Sequence, residues 1–286
     1  MKLATFSAGA APELGVVTDD GHIISISRAA PHLAEGMIDL ITRWGELRPI
    51  IELIVAAAVH RFDLSVVRLH KPIPRPGKIM AIGLNYADHI AETKMETPAH
   101  QTWFAKMPTA ANGPFDAIHI PKVSKFLDYE VEMVAVIGTR GRHIAAEDAP
   151  AHVFGWCVGN DATERLWQDR TQQWTLGKSF DTHAPFGPWI TTSDEFDDPH
   201  ARDIRCHVNG EQRQASNTGR MIFNVWDQVE HLSQAMTMEP GDLIYTGTPG
   251  GIGAVMKPRR YLKAGDVVRC EIDGLGAIQN VCVDEV

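Results

Sequence analysis

A chain of 286 residues, 44% hydrophobic and 22% charged, has the makeup of a folded protein and enough length to bury a sizeable core. Its 36 Asp and Glu outnumber 27 Lys and Arg, a formal charge of −9, and no basic block offers the footprint that a nucleic-acid binder needs. Such a protein still holds an anion wherever a metal or a few basic side chains reverse the potential inside one cleft. Cys157, Cys206, Cys270 and Cys282 form no CxxC pair, so neither a zinc knuckle nor a redox motif is indicated. The opening residues lack a signal-peptide pattern, and the longest apolar stretch, 50–59, contains Glu52 and is too short to span a bilayer. The expectation is a soluble, cytoplasmic protein with no membrane contact.

In chain order, residues 2–6, 14–18 and 22–25 read as strands, with Asp19-Asp20-Gly21 as a turn between the last two. Residues 37–59 follow a helical pattern broken near Pro49. Three prolines at alternate positions in 71–77 disfavour helix and suit an extended connector. That connector divides the chain into a small N-terminal α/β domain, 1–70, and a second domain, 71–286. Beyond it, 79–83, 129–137, 153–158, 204–208, 242–246 and 267–281 carry β-branched or alternating apolar residues. Helical candidates are few: 162–172, 223–236 and a turn after Tyr86. Many strands with few crossover helices predict an α+β, mainly β chain, a mixed β-roll or sandwich rather than a doubly wound sheet. The glycine-rich stretch 246–253 follows a strand, but its spacing is wrong for a dinucleotide loop and Pro258 interrupts any helix after it.

The segment 127–138 is the most informative. Its second half is apolar, yet Asp128, Glu130 and Glu132 fall two residues apart and so on one face of a strand. A solvated edge strand would explain them; so would a cation buried among them. Asp161, at the end of the strand 153–158, either caps the helix that follows or joins the cluster. Arg165 and Gln168 lie on the near face of that helix and Lys178 follows, so cationic and amide groups could hold a carboxylate and a developing oxyanion beside the ion. Carboxylate oxygens suit Mg²⁺ or Mn²⁺ and leave water sites open for a substrate. His89 and Glu92, three apart in a helical turn, are either surface residues or a dyad in which the carboxylate orients the imidazole as a base.

Taken together, Gly83-Leu-Asn-Tyr-Ala-Asp-His89, Asp128-Tyr-Glu-Val-Glu132, Asp161-Ala-Thr-Glu-Arg165, Gly177-Lys-Ser-Phe-Asp181, Gly241-Asp-Leu-Ile-Tyr-Thr-Gly-Thr-Pro249 and Gly253 resemble the fumarylacetoacetate hydrolase family over roughly residues 78–283. The resemblance implies a twisted β-roll, a homodimer, and Mg²⁺ or Mn²⁺ bound by Glu130, Glu132 and Asp161. It assigns His89 and Glu92 to a water-activating dyad on a lid that continues through Lys94. Lys178 would stabilise the oxyanion, with Arg165, Gln168 and Thr248 on the substrate. The implied reaction is hydrolysis of a C–C bond in an acylpyruvate or related 2,4-diketo acid, releasing pyruvate or another small 2-oxo acid. Oxaloacetate-type decarboxylation, 2-hydroxydienedioate isomerisation and a lyase reaction share the same enolate chemistry, and a catalytically silent carboxylate-binding protein is a further alternative. Asp128 is expected behind the ligands, and residues 103–112 with the lid are expected to shape the pocket for the rest of the substrate.

Overall fold

The run Val131–Ile137 is apolar at every position except Glu132, so it has no face to give to solvent and must be covered on both sides. In the computed structural model, which describes residues 1–9, 11–93, 96 and 98–286, it lies inside a mixed sheet and is buried at every residue. Among the described residues that sheet has twelve strands. Ten follow the order Arg61–Asp63, His22–Ser25, Glu13–Thr18, Lys2–Ser7, Ala184–Thr192, Val153–Asn160, Val131–Ile137, Leu243–Tyr245, Ile79–Gly83 and Thr102–Lys106. A second sheet of five strands runs Glu211–Asn217, Asp203–Val208, Val267–Ile272, Gly276–Asp284, Ile118–Ile120. The chain is thus α+β and mainly β.

The period of two in Val131–Ile137 divides the interior. Val131, Met133, Ala135 and Ile137 share a core with Ile204, Cys206, Val268 and Cys270 of the five-stranded sheet and with Val225, Val229 and Leu232 of the helix Val225–Ala235. Val134 and Val136 share another with Met37, Leu40, Leu47 and Ile51 of the helices Met37–Thr42 and Trp44–Ala57. Each fully buried side chain of this size contributes about 1.5–3 kcal/mol, so both faces anchor the strand. Val131–Ile137 runs antiparallel to Val153–Asn160, with Val131 opposite Asn160. This register brings Asp161 beside Glu130, whose carbonyl accepts from the Asp161 amide at 2.8 Å.

Several elements differ from the sequence expectation. Strands of residues 1–70 join the same sheet as those of 71–286: Lys2 and Leu3 pair with Thr191 and Ile190, and the Thr5 hydroxyl donates to the Pro72 carbonyl at 2.7 Å across the proline-rich connector. The helical run 37–59 breaks at Arg43 rather than at Pro49. Arg43 donates to the Leu33 carbonyl at 3.0 Å, while Pro49 is carried inside Trp44–Ala57 near its start, forgoing one backbone hydrogen bond. The predicted helix 162–172 is reduced to Arg165–Gln168, because Thr163–Glu164 first pairs with Leu127–Asp128 and Glu164 caps the turn through the Leu166 amide. Helix Val225–Ala235 forms where predicted, closed by a capping box between Asn224 and Asp227. The four cysteines are free and buried, and no helix among the described residues is long and apolar enough to cross a membrane.

Gly155 lies where Val153–Asn160 passes Ala184–Thr192, and a Cβ built there would stand 2.4 Å from the Thr191 carbonyl oxygen. Backbone cannot give way as a side chain does. Gly155→Ala is therefore expected to lower the stability of the folded chain by about 1–3 kcal/mol, read from the midpoint of urea unfolding; a midpoint unchanged from wild type would show that the two strands separate at no cost.

Candidate active site

Glu130, Glu132 and Asp161 are brought together by two neighbouring strands, and their carboxylate oxygens lie within 4.8 Å of one another. All three are buried, Glu132 at 1% exposure and Asp161 at 0%, which excludes a solvated edge strand. Asp161 does not cap a helix; Glu164 does. Burying like charges this closely is costly unless cations stand among them. Lys178 supplies one, donating to Glu130 Oε2 at 2.8 Å and to Asp161 Oδ2 at 2.6 Å. Arg165 supplies another, its Nη2 lying 2.6 Å from Glu130 Oε1 and its Nε donating to Asp128 Oδ2 at 2.9 Å.

A third cation, Lys106, was not visible in the sequence. It ends the strand Thr102–Lys106, is 1% exposed, and donates to Asp161 Oδ1 at 2.5 Å and to the Ala162 carbonyl at 3.3 Å. The one available signal was a charge alternating with Trp103 and Ala105 on an otherwise apolar strand. Four buried carboxylates, Asp128 included, therefore face three buried cations. Burial favours the neutral acid at Glu130, but Lys178 and Arg165 outweigh it and hold that carboxyl at about 2. Burial would also discharge Lys178, and Asp161 and Glu130 reverse this, keeping its ammonium above the ordinary value. At Lys106 burial wins and the ammonium is pulled below it.

Glu132 is the exception. Its Oε2 accepts from the Gly247 amide at 2.7 Å, and burial together with Asp161 and Glu130 pushes its carboxyl well above the usual range. A divalent cation among the three carboxylates would meet the charge that the side-chain cations leave over, and an all-oxygen donor set suits a hard ion. The residues fit such an ion.

The other candidates surround the same cavity of about 270 Å³, lined by Glu130, Glu132, His89, Arg165, Gln168, Lys178 and Thr248 among others. Arg165 Nη1 donates to Gln168 Oε1 at 2.9 Å, which leaves the Gln168 NH₂ as its donor group. The Thr248 hydroxyl donates to the Val131 carbonyl at 3.0 Å and accepts from Gln214 at 2.8 Å, so it braces the strand as well as lining the cavity. Gln214, also unseen in the sequence, accepts from the Val131 amide at 3.0 Å and donates to the Pro249 carbonyl at 2.8 Å. Asp128 faces away from the carboxylate cluster: the strand pauses at Tyr129 and Glu130, and Asp128 accepts from the Gly253 and Ala254 amides at 2.8 and 3.0 Å.

His89 and Glu92 lie on the helix Ala87–Thr93, with His89 Nδ1 and Glu92 Oε1 sharing a hydrogen bond of 2.9 Å. The far oxygen of Glu92 accepts from the Gly251 amide at 2.8 Å, and Asp88 accepts from Ser216 at 2.5 Å. The segment is thereby latched to the glycine-rich loop; Lys94, the end of the predicted lid, lies outside the described residues. The stretch 103–112, expected to shape the pocket, does so from behind the lining, Lys106 holding Asp161 and Phe104 packing on Trp174 and Lys178. Trp174 lines it, one helical turn before Lys178, together with Ile82, Leu84, Ile252 and Ala254.

Residues 78–283 match the model of the fumarylacetoacetate (FAA) hydrolase C-terminal family. The chain is 40% identical over 287 residues to the rat protein named oxaloacetate tautomerase Fahd2a, mitochondrial, covering 99% of this chain and 92% of that one. It is 40% identical over 288 residues to human oxaloacetate tautomerase FAHD2A, mitochondrial, with the same coverage. Among solved structures it is similar to maleylpyruvate hydrolase from Sphingobium sp. SYK-6 in complex with manganese(II) ion and pyruvate, at a TM-score of 0.86 and 32% identity over 100% of both chains. It is also similar to 5-carboxymethyl-2-hydroxymuconate delta-isomerase from Mycobacterium smegmatis, at a TM-score of 0.79 and 30% identity over 100% of both.

Two substitutions probe the charge balance. Lys106→Met removes one partner of a buried pair and is expected to destabilise the metal-free protein by about 3–5 kcal/mol, with added Mn²⁺ raising its melting temperature by more than it raises that of wild type. Glu132→Gln is expected to weaken Mn²⁺ binding by more than about 10-fold, since loss of groups that merely support a ligand already costs that much. Calorimetric titration with MnCl₂ reads the second; wild-type affinity in Glu132→Gln would remove that residue from the ligand set.

Proposed function

The chain belongs to the fumarylacetoacetate hydrolase family, and from that premise we propose that it is a divalent-metal-dependent enzyme moving the C3 proton of a small 2-oxo acid, in the manner of an oxaloacetate tautomerase. The observation that carries the reading is the meeting, in one cavity, of a carboxylate cluster fit for an ion with a His–Glu pair on a separate helix. Mg²⁺ or Mn²⁺ at Glu130, Glu132 and Asp161 would supply Lewis acidity to the carboxylate and 2-oxo oxygen of the substrate, which makes C3 acidic.

The chain's own groups then divide the work. Glu92 holds the His89 imidazole through Nδ1, so that the ring can take the proton from C3 of the keto form while the enolate oxygen takes one up from solvent, and in reverse can give a proton to C3 as the enol O–H proton leaves to solvent. Lys178 brings an ammonium to the cavity floor, where negative charge gathers on the substrate oxygen, and the Gln168 NH₂ adds a second donor. Latching of Ala87–Thr93 to Gly251 keeps the base over the floor and limits the access of water.

The same dyad favours a second reading, cleavage of an acylpyruvate. His89 would take its proton from water rather than from C3, the resulting hydroxide would attack the 4-oxo carbon, and Lys178 and Gln168 would donate to the oxyanion. The C3–C4 bond then breaks, its electrons stay with the pyruvate half, and that half takes up a proton at C3. The 32% identity to a maleylpyruvate hydrolase supports this route, and the 40% identity to oxaloacetate tautomerases supports the first. We also propose that the working form is a homodimer, a reading supported by exposed apolar side chains at Phe126, Leu166 and Leu176.

With Mn²⁺ present, the wild-type chain should speed the enol–keto interconversion of oxaloacetate, and His89→Ala should lower that rate about 10²- to 10⁴-fold while Mn²⁺ affinity changes little. Faster release of pyruvate from an acylpyruvate than turnover of oxaloacetate would put the hydrolase reading first. Failure to act on either substrate would overturn both. Light scattering at micromolar concentration should give twice the chain mass, and a monomer there would end the dimer proposal.

A further inference from the structure

The cavity has two ends of different character. Its floor is charged and buried: Glu130, Glu132, Lys178, Arg165, Gln168 and His89 are each under 9% exposed. The lining residues that reach solvent are Gly83, Leu84, Trp174 and Ala254, all partly open, and Asp169, which is exposed. Among the described residues, no Lys or Arg lines this mouth. Arg170, next in sequence to Asp169, lays its guanidinium over the ring of Trp167 at 4.2 Å, and no described cation pairs with the Asp169 carboxylate.

The indole of Trp174 is fitted into this place. A Cβ on Gly83 would stand 2.3 Å from Cζ3 of that ring, so any side chain at residue 83 would displace it. The ring packs on Phe104 at a centroid distance of 5.6 Å, and Phe104 in turn lies 4.7 Å beneath the Lys178 ammonium. The indole, backed by Phe104, is therefore the aromatic part of the lining, and Ile82, Leu84, Ile252 and Ala254 complete an apolar wall between the charged floor and the mouth. A carboxylate carried outward along this wall would lose water, gain no cation among the described residues and approach Asp169. An uncharged apolar or aromatic group would bury surface against the indole and meet no unpaired partner.

We propose that the mouth of the cavity selects 2-oxo acids whose substituent beyond the reacting carbons is uncharged and apolar or aromatic, and rejects those ending in a distant second carboxylate. The inference rests on the reading above that the acid head binds at the floor. Oxaloacetate is compatible with it, since its second carboxylate is attached at C3 and stays close to Lys178 and Gln168 rather than reaching the mouth.

Oxamate carries the carboxylate and adjacent carbonyl oxygen of a 2-oxo acid but has no C3 proton, so it binds without being turned over. Calorimetric titration of the Mn²⁺-loaded full chain with oxamate, N-phenyloxamate and N-(4-carboxyphenyl)oxamate separates head from tail. Wild type is expected to bind the phenyl compound about 10-fold more tightly than the carboxyphenyl one, the scale set by one stacked ring against a desolvated charge. Trp174→Ala should reduce that ratio about 3- to 10-fold and Trp174→Phe by less, as loss of a ring contact predicts. Asp169→Asn, at an exposed position where misfolding is no concern, should reduce it about two- to five-fold by relieving the carboxyphenyl compound. Equal or tighter binding of the carboxyphenyl compound by wild type, or a ratio unmoved in Asp169→Asn, overturns the inference while oxamate binding leaves the proposed function standing. If oxamate itself does not bind, the reading of the floor and this inference fall together.

Discussion

Glu132 enters the protein interior with a backbone amide as its hydrogen-bond partner and two carboxylates as neighbours, and burial beside them favours its neutral form, so the site is organised around a carboxyl that a further cation would ionise. Ions are expensive to bury, and the surroundings answer most of that cost with Lys106, Lys178 and Arg165. These cations serve Glu130 and Asp161. They leave Glu132 the least compensated of the three, and so a place where a doubly charged ion gains more than a further ammonium would, because it meets three carboxylates at once. The same cations keep the cavity attractive to an anion in a protein whose net charge is strongly negative.

Rigidity around that charge comes from backbone pairing. Val131–Ile137 is held by Val153–Asn160 on one side and Leu243–Tyr245 on the other, and its first residues are pinned by Gln214, Thr248 and Asn160. The loop after Leu243–Tyr245 touches three parts of the site. Gly247 meets Glu132, Gly251 meets Glu92, and Gly253 and Ala254 meet Asp128, which also anchors Arg165. Glu132, the His89–Glu92 pair and the Arg165 guanidinium thus share one backbone segment, and a shift in it moves them together. His89 and Glu92 lie on a separate short helix from the carboxylate cluster, so on the reading proposed above one floor could serve proton transfer or bond cleavage according to what lies between floor and helix.

Much of the site was legible in the sequence because its logic is local. Period two in 127–138 and the strand end at Asp161 are short-range features, and the motif resemblance located His89, Glu92, Arg165, Gln168, Lys178 and Thr248, all of which line or adjoin the cavity. The principal strands were also legible, since β-branched runs with no solvent face admit few other conformations. The helix limits were less so: at the break, Arg43 bonds the Leu33 carbonyl ten positions away, and no local propensity carries that information.

Tertiary structure alone decided the rest, and the reason is sequence separation. Lys106 meets Asp161 across 55 residues and Gln214 meets Val131 across 83, contacts that only the pairing of distant strands creates. Asp128 shares its spacing with the two glutamates, yet a pause in the strand turns it toward a loop more than a hundred residues on. Trp174 reads as an ordinary aromatic until Gly83 leaves room for it, and only the structure shows Lys2–Ser7 pairing with Ala184–Thr192 in one sheet. The sequence by itself determined which groups could bind an ion and a proton, because charge and period are written in it. Which cations neutralise them, and what wall the substrate meets, depended on the register of strands far apart in the chain.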